Sequence, residues 1–245
     1  MKTALTIAGS DPSGGAGLQR DLATFQDYGV KGLSAVAALT AQNSSIVSAT
    51  QPVTAHFLAS QIRTLAKEFR IDAVKIGMTG SSENLRTIRA LIKSLRLEKV
   101  VLDPVLRSTS GKALLDKKGV TELASILPFV KLVTPNLPEA EALTGIKEIS
   151  DLKGMEEAAE RLHAMGAAYA LIKGGHLKGA PVDLLFNGRS FVYFQGKRIK
   201  GRSERFHGTG CILSAAIAAG LAQAKGVERA VLDAKAYLAT VLRSR

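Results

Sequence analysis

The feature that most constrains this chain is an alternation between two hydrophobic periods. Short apolar runs rich in Val, Ile and Leu occur at Leu5 to Ala8, Leu33 to Leu39, Ala73 to Ile76, Val100 to Leu102, Leu132 to Val133 and Tyr169 to Ile172. Runs of this length read as strands buried on both faces. Between them lie stretches with helical spacing. Leu18, Leu22, Phe25 and Tyr28 share a face and stop at Gly29; Phe57, Leu58, Ile62, Leu65 and Phe69 do likewise. Leu85 to Leu95, Val120 to Leu127 and Met155 to Met165 repeat the pattern, the last ending at Gly166 as a helix C′ glycine would. Strand then helix, repeated, implies a mainly parallel sheet with helices on both faces.

The pattern changes after Gly174-Gly175. Val182 to Phe186, Asn187-Gly188 and Phe191 to Phe194 read as a hairpin at one sheet edge, with Asn-Gly supplying the positive φ angles of a two-residue turn. The last 35 or so residues return to helix from Gly208-Thr209-Gly210-Cys211 onward. No linker or internal repeat breaks the sequence, and 245 residues suit one core, so a single domain over 1–245 is expected.

Composition narrows the function classes. With 46% hydrophobic residues the chain is not disordered, and with Cys211 as its one cysteine it makes no internal disulfide, which suits a reducing cytoplasm. The apolar start ends at Gly9, short of the about 7 to 15 residues of a signal peptide core, and no run approaches the ~18 of a membrane span. A net charge of +12 asks for a polyanion or a phosphorylated small molecule. Its densest cluster, Lys197, Arg198, Lys200, Arg202 and Arg205, comes without the aromatic residues that would stack bases, which makes nucleic acid an unlikely partner.

Ligands of such sheets sit beyond the carboxyl ends of the strands, and the unusual residues fall there. Gly9 to Gly17 joins a strand to a helix and is either a flexible turn or a close approach to a ligand. It matches neither the P-loop nor the dinucleotide fingerprint. Gly208-Thr209-Gly210-Cys211 opens a long helix of small residues. It is either a tight turn with a small buried cysteine, or an anion hole whose dipole would favour a Cys211 thiolate. Asp103-Pro104 follows a strand and places a carboxylate near a metal-phosphate site. Asn136 and Glu139 stand three apart at a helix start, with Pro138 suited to N1, and serve capping or Mg2+. Lys173 ends another strand, either merely solvated or within reach of a phosphate. Gln42 carries the donor and acceptor needed to read an aminopyrimidine edge. His176 and His207 show no partner and are read as structural.

Taken in order, Ala8 to Gly17, Ala38-Leu39-Thr40-Ala41-Gln42-Asn43, Lys75-Ile76-Gly77-Met78, Leu102-Asp103-Pro104-Val105, Thr134 to Ala140, Lys173-Gly174-Gly175-His176 and His207-Gly208-Thr209-Gly210-Cys211 resemble the hydroxymethylpyrimidine/phosphomethylpyrimidine kinases of thiamine biosynthesis, over nearly the whole chain. The resemblance implies a ribokinase-like fold and an ATP- and Mg2+-dependent, homodimeric enzyme. It phosphorylates 4-amino-5-hydroxymethyl-2-methylpyrimidine and then the monophosphate. It implies Cys211 as base in an anion hole of Gly208 and Gly210, and Gln42 as reader of the pyrimidine with Ala16, Met78 and Val105 around the ring. Asn136, Lys173 and Thr209 would serve ATP, Glu139 and Asp103 the metal, and Asp21 would lie close to the substrate. Departures from the family pattern are Arg205-Phe206 in place of Asn-Thr, and Ile212 in place of Thr. Alternatives are a pyridoxal kinase of the same fold, a non-catalytic pyrimidine sensor and a nucleic-acid-binding protein.

Overall fold

The structure, a computed structural model, describes residues 1–43, 45–108, 111–115, 117–175, 177, 180–196 and 206–244. His176 and the basic cluster from Lys197 to Arg205 lie outside them.

Nine strands form one sheet in the order β3-β2-β1-β4-β5-β6-β7-β8-β9. They are β1 (Thr3–Ser10), β2 (Lys31–Gln42), β3 (Val47–Pro52), β4 (Ala73–Ile76), β5 (Val100–Leu102), β6 (Leu132–Val133), β7 (Ala170–Gly174), β8 (Val182–Phe186) and β9 (Phe191–Gln195). From β2 through β7 every pairing is parallel, and the β2–β3, β7–β8 and β8–β9 pairings are antiparallel. The sheet therefore has antiparallel strands at both edges, where the sequence pointed to one. β3, Val-Ser-Ala-Thr-Gln-Pro, faces solvent along much of its length, and its weak apolar signal is that of an edge strand.

Side chains of the central strands alternate between two cores, as the period of two demands. Leu5, Val74, Val100, Leu102 and Ile172 join one, packed under α2 (Ala55–Glu68), α3 (Ser82–Ser94), α4 (Lys117–Ile126), α5 (Leu137–Thr144) and α6 (Leu152–Ala164). Ala4, Ala73, Val101, Leu132 and Leu171 join the other, under α1 (Gly17–Asp27), α7 (Thr209–Ala222) and α8 (Val227–Ser244). α7 is buried on all sides from Ile212 to Ala222, as a helix of small apolar residues in a core must be.

Three local expectations change. Residues 187–190 form a longer connection than a two-residue turn: Asn187 N–H donates to the Ser190 carbonyl, and the Asn187 Oδ1 accepts from the Arg189 and Ser190 N–H groups. Only Gly188 there has positive φ, at 87°. Phe57 lies off the buried face of α2 and is 60% exposed, because it falls beside Leu58 rather than a turn away. Pro138 is the second helical residue, since the cap is Asn136 and Leu137 takes N1. Gly29 and Gly166 do close their helices with φ of 64° and 111°. No helix among the described residues is long and apolar enough to cross a membrane.

Candidate active site

Beyond the carboxyl ends of β1, β4, β5, β6 and β7 a cleft of about 2200 Å³ opens. Its lining includes Ala16, Gln42, Met78 and Val105 together with Asn136, Glu139, Lys173, Gly208, Thr209, Gly210 and Cys211. The sequence candidates thus converge, with Asp21 as the exception.

Asp21 does not line the cleft. It is fully buried, on the inner face of α1, three residues from Leu18 and four from Phe25. Its carboxylate accepts from Thr6 Oγ1 at 2.6 Å and from Lys75 Nζ at 2.7 Å. Lys75 is the residue that reaches the cleft, and its charge is held on by Asp21 despite complete burial. The sequence reading registered Lys75 only as part of a strand-end motif. A lysine inside an otherwise apolar four-residue strand is the signal that marked it, since buried charges are paired.

At the strand ends, Lys173 Nζ donates to Asp103 Oδ1 at 2.9 Å and stands 3.9 Å from Glu139 Oε2. Ser214 Oγ donates to Asp103 Oδ2 at 3.2 Å. Burial opposes charge on Asp103, yet Lys173 and Lys75 hold its carboxyl below the usual range. Burial likewise opposes charge on Lys173, and Asp103 and Glu139 overcome it, keeping the ammonium above its ordinary value. Burial dominates at Glu139 and pushes its carboxyl up to about 7, with Asp103 adding to the rise and Lys173 opposing it. Asn136 and Glu139 form a reciprocal capping box at the start of α5, so both are held in place by the helix they begin. Asn136 spends its Oδ1 in that cap and keeps its amide donor.

Opposite stands the start of α7. Gly208 caps it with φ of 76°, and a Cβ there would lie 2.0 Å from the Gly15 carbonyl oxygen, so only glycine fits. A Cβ added to Gly210 would sit 3.4 Å from Lys173 Nζ and 3.5 Å from Asp103 Oδ2, which places the first turn of α7 over the Lys173 pair. Orphan N–H groups of the helix start and the Lys173 ammonium thereby share one space, suited to an anion. Thr209 Oγ1 donates to the Phe206 carbonyl.

Cys211, in the same turn, corrects the expectation of a thiolate. Burial pushes its thiol up to about 11; Lys75 pulls it down, while Asp21 and Asp103 push it further up. His207, expected to be structural with no partner in view, donates from Nε2 to Asp11 Oδ2 at 2.9 Å.

A Cβ on Gly9 would lie 3.0 Å from the Met78 sulfur, so Met78 lies close against the end of β1. The Gln42 side chain closes the wall on β2 and makes no hydrogen bond to any described residue, leaving its donor and acceptor for a ligand.

The sheet order and the glycine-started helix facing the strand ends define a ribokinase-like α/β protein. Residues 11–245 match the family model described as phosphomethylpyrimidine kinase. A Rhizobium meliloti hydroxymethylpyrimidine/phosphomethylpyrimidine kinase is 46% identical over 96% of this chain and 88% of its own length. The Geobacter sulfurreducens thiamine biosynthesis bifunctional protein ThiED is 44% identical over 98% of this chain, which spans 49% of that longer protein. The Clostridium difficile phosphomethylpyrimidine kinase structure superposes with a TM-score of 0.88 at 36% identity, covering 99% of this chain and all of that one. The ADP complex of Bacillus subtilis pyridoxal kinase superposes equally well, with a TM-score of 0.88 and 36% identity over 96% and 89% of the two chains. The chain belongs to the phosphomethylpyrimidine kinase family.

Proposed function

We propose that this chain, as one ribokinase-like domain, transfers the γ-phosphoryl group of ATP to the hydroxymethyl of 4-amino-5-hydroxymethyl-2-methylpyrimidine, and then a second group to the monophosphate. The carrying observation is that one cleft is lined both by groups able to read a ring, Gln42 with Ala16, Met78 and Val105, and by groups able to bind an anion, the start of α7 and Lys173. Gln42 pairs with the aminopyrimidine edge through its amide. The N–H groups about Gly208 and Gly210 receive the transferring phosphoryl, while Lys173, Asn136 and Thr209 hold ATP phosphates. Phosphoryl transfer is mostly positioning and charge stabilisation, which these groups supply.

Mg2+ belongs to this reading and supplies neutralisation of phosphate charge. Glu139 would hold it, as a buried carboxylate beside Lys173 whose Oε2 also accepts the Asn136 N–H. Asp103 fits it poorly, since Lys173 and Ser214 already occupy its oxygens. Among the described residues no group of three or more His, Cys, Asp or Glu forms a metal cage. The reading also includes a cytoplasmic homodimer. Exposed Leu39, Ile46 and Phe57 beside edge strand β3 are apolar surface that a second copy would cover, testable by light scattering.

A second reading, pyridoxal kinase, draws on the likeness to the Bacillus subtilis pyridoxal kinase. ATP consumption measured with hydroxymethylpyrimidine, its monophosphate and pyridoxal decides between them. Turnover of the first two well above pyridoxal is expected; preference for pyridoxal overturns the assignment.

A further inference from the structure

The first glycine loop and the turn before α7 are pressed together more tightly than two unrelated loops need to be. A Cβ on Gly15 would lie 2.3 Å from the His207 ring, one on Gly208 2.0 Å from the Gly15 carbonyl oxygen, and one on Gly17 2.4 Å from the Gly9 carbonyl oxygen. Asp11 sits at the centre of this contact, 3% exposed. Its Oδ1 accepts from Ser13 N–H at 2.9 Å and Ser13 Oγ at 2.7 Å, and its Oδ2 from Ala16 N–H at 2.8 Å and His207 Nε2 at 2.9 Å. Three of these bonds shape the loop itself, and the fourth crosses 196 residues of sequence to the residue before Gly208.

We propose that Asp11 and His207 are a positioning pair: they fix the β1–α1 loop in register with the start of α7, and so fix the ring pocket relative to the phosphoryl pocket. Ala16, held by Asp11, and Gly208, next to His207, both line the cleft and lie against each other, a Cβ on Gly208 falling 3.1 Å from the Ala16 Cα. With both oxygens of Asp11 filled by donors, the carboxylate is neither a metal ligand nor a base. The hydrogen bonds hold it ionised below its ordinary range although burial opposes this. An error of about 1 Å between the attacking hydroxyl and the phosphoryl group it accepts costs on the order of 100-fold in rate.

The inference rests on the phosphoryl-transfer reading above. His207→Phe keeps a ring against Gly15 and removes the donor, while His207→Gln returns an N–H at similar reach. Expected for His207→Phe is a fall in kcat of about 10- to 100-fold with KM for ATP within twofold, and faster hydrogen exchange at residues 13–17. His207→Gln should recover most of the kcat and the slow exchange. Asp11→Asn should lose about as much as His207→Phe, and the double variant no more than either. The pair is overturned if Gln performs no better than Phe, if the losses multiply in the double variant, or if kcat is unchanged. If His207→Phe fails to fold, Asp11→Asn against the Asp11→Asn/His207→Gln double carries the test. There the proposal requires that Gln add no further loss, and a multiplied loss overturns it. A wild-type chain inert on the pyrimidine but active on pyridoxal would overturn the substrate assignment instead, and the same variants would then be read with pyridoxal.

Discussion

Lys173 lies 2.9 Å from Asp103 and 3.9 Å from Glu139, so a single ammonium at the end of β7 serves two buried carboxylates, one just after β5 and one in the first turn of α5. Its charge compensates Asp103, and the proposed function gives it a second role toward a phosphate of ATP.

That double role is separable. Lys173→Met strands Asp103, which is 2% exposed, in the protein interior. A loss on the order of 3 kcal/mol is expected, as when one partner of a buried ion pair is removed, visible as a drop of several degrees in Tm. Adding Asp103→Asn should return much of the Tm while turnover stays at least about 100-fold down. Recovery of turnover in the double variant would show that Lys173 serves Asp103 alone.

The two glycines at the start of α7 should part company under the same substitution. Gly208→Ala meets the Gly15 carbonyl and a φ of 76°, so it should destabilise the fold by more than about 1 kcal/mol. Gly210→Ala meets only ordinary contacts with Lys173 and Asp103, so Tm should hold. Its methyl nonetheless enters the space assigned to the phosphoryl group, and turnover should fall roughly 10- to 100-fold. Thermal melts beside steady-state kinetics decide this. A fully active Gly210→Ala enzyme would remove the phosphoryl group from that space.

Gln42→Ala should weaken use of the aminopyrimidine by about 1–3 kcal/mol, since buried ring donors and acceptors lose their partner, and should alter pyridoxal turnover less. The measurement is kcat/KM for both alcohols. Equal losses would mean that Gln42 shapes the wall without reading the ring.

What the sequence made legible was local. β4, β5 and β6 begin and end where their apolar runs do, because strands buried on both faces have no polar face to blur the signal. The convergence of Asp103 and Lys173 followed from their place at strand ends, and the Gly208 turn joined them as the start of a helix. Long-range pairing was not legible. Lys75 and Asp21 are 54 residues apart, and Asp11 and His207 are 196 apart. Nothing in either local sequence names its partner, so His207 read as an isolated residue and Asp21 as a substrate neighbour. The raised Cys211 thiol was missed for a related reason: a helix start announces a dipole, while the burial that raises the thiol arises only when distant elements close around it.

The raised thiol sharpens the test of Cys211 as a base. Attack by the free hydroxymethyl requires loss of an alcohol proton, and a thiol near about 11 is almost wholly protonated at neutral pH. If the thiolate takes that proton, the first phosphorylation should speed up about tenfold per pH unit above 7. The second step should stay nearly flat, because its nucleophile is a phosphate monoester with a second pKa of ~6, already ionised. The usable range has an upper bound from linkage. A thiol raised from 9.0 to about 11 on folding lends stability in full below about 9, and that contribution is lost as pH climbs through about 11. Rates should therefore be compared between pH 7 and 9 with Tm recorded alongside. Cys211→Ala should abolish the slope and depress the first step much more than the second. Parallel pH profiles for the two steps in the wild type, or equal losses in a folded Cys211→Ala enzyme, would leave Cys211 a packing residue and shift the proton to another acceptor, such as the departing phosphoryl group itself.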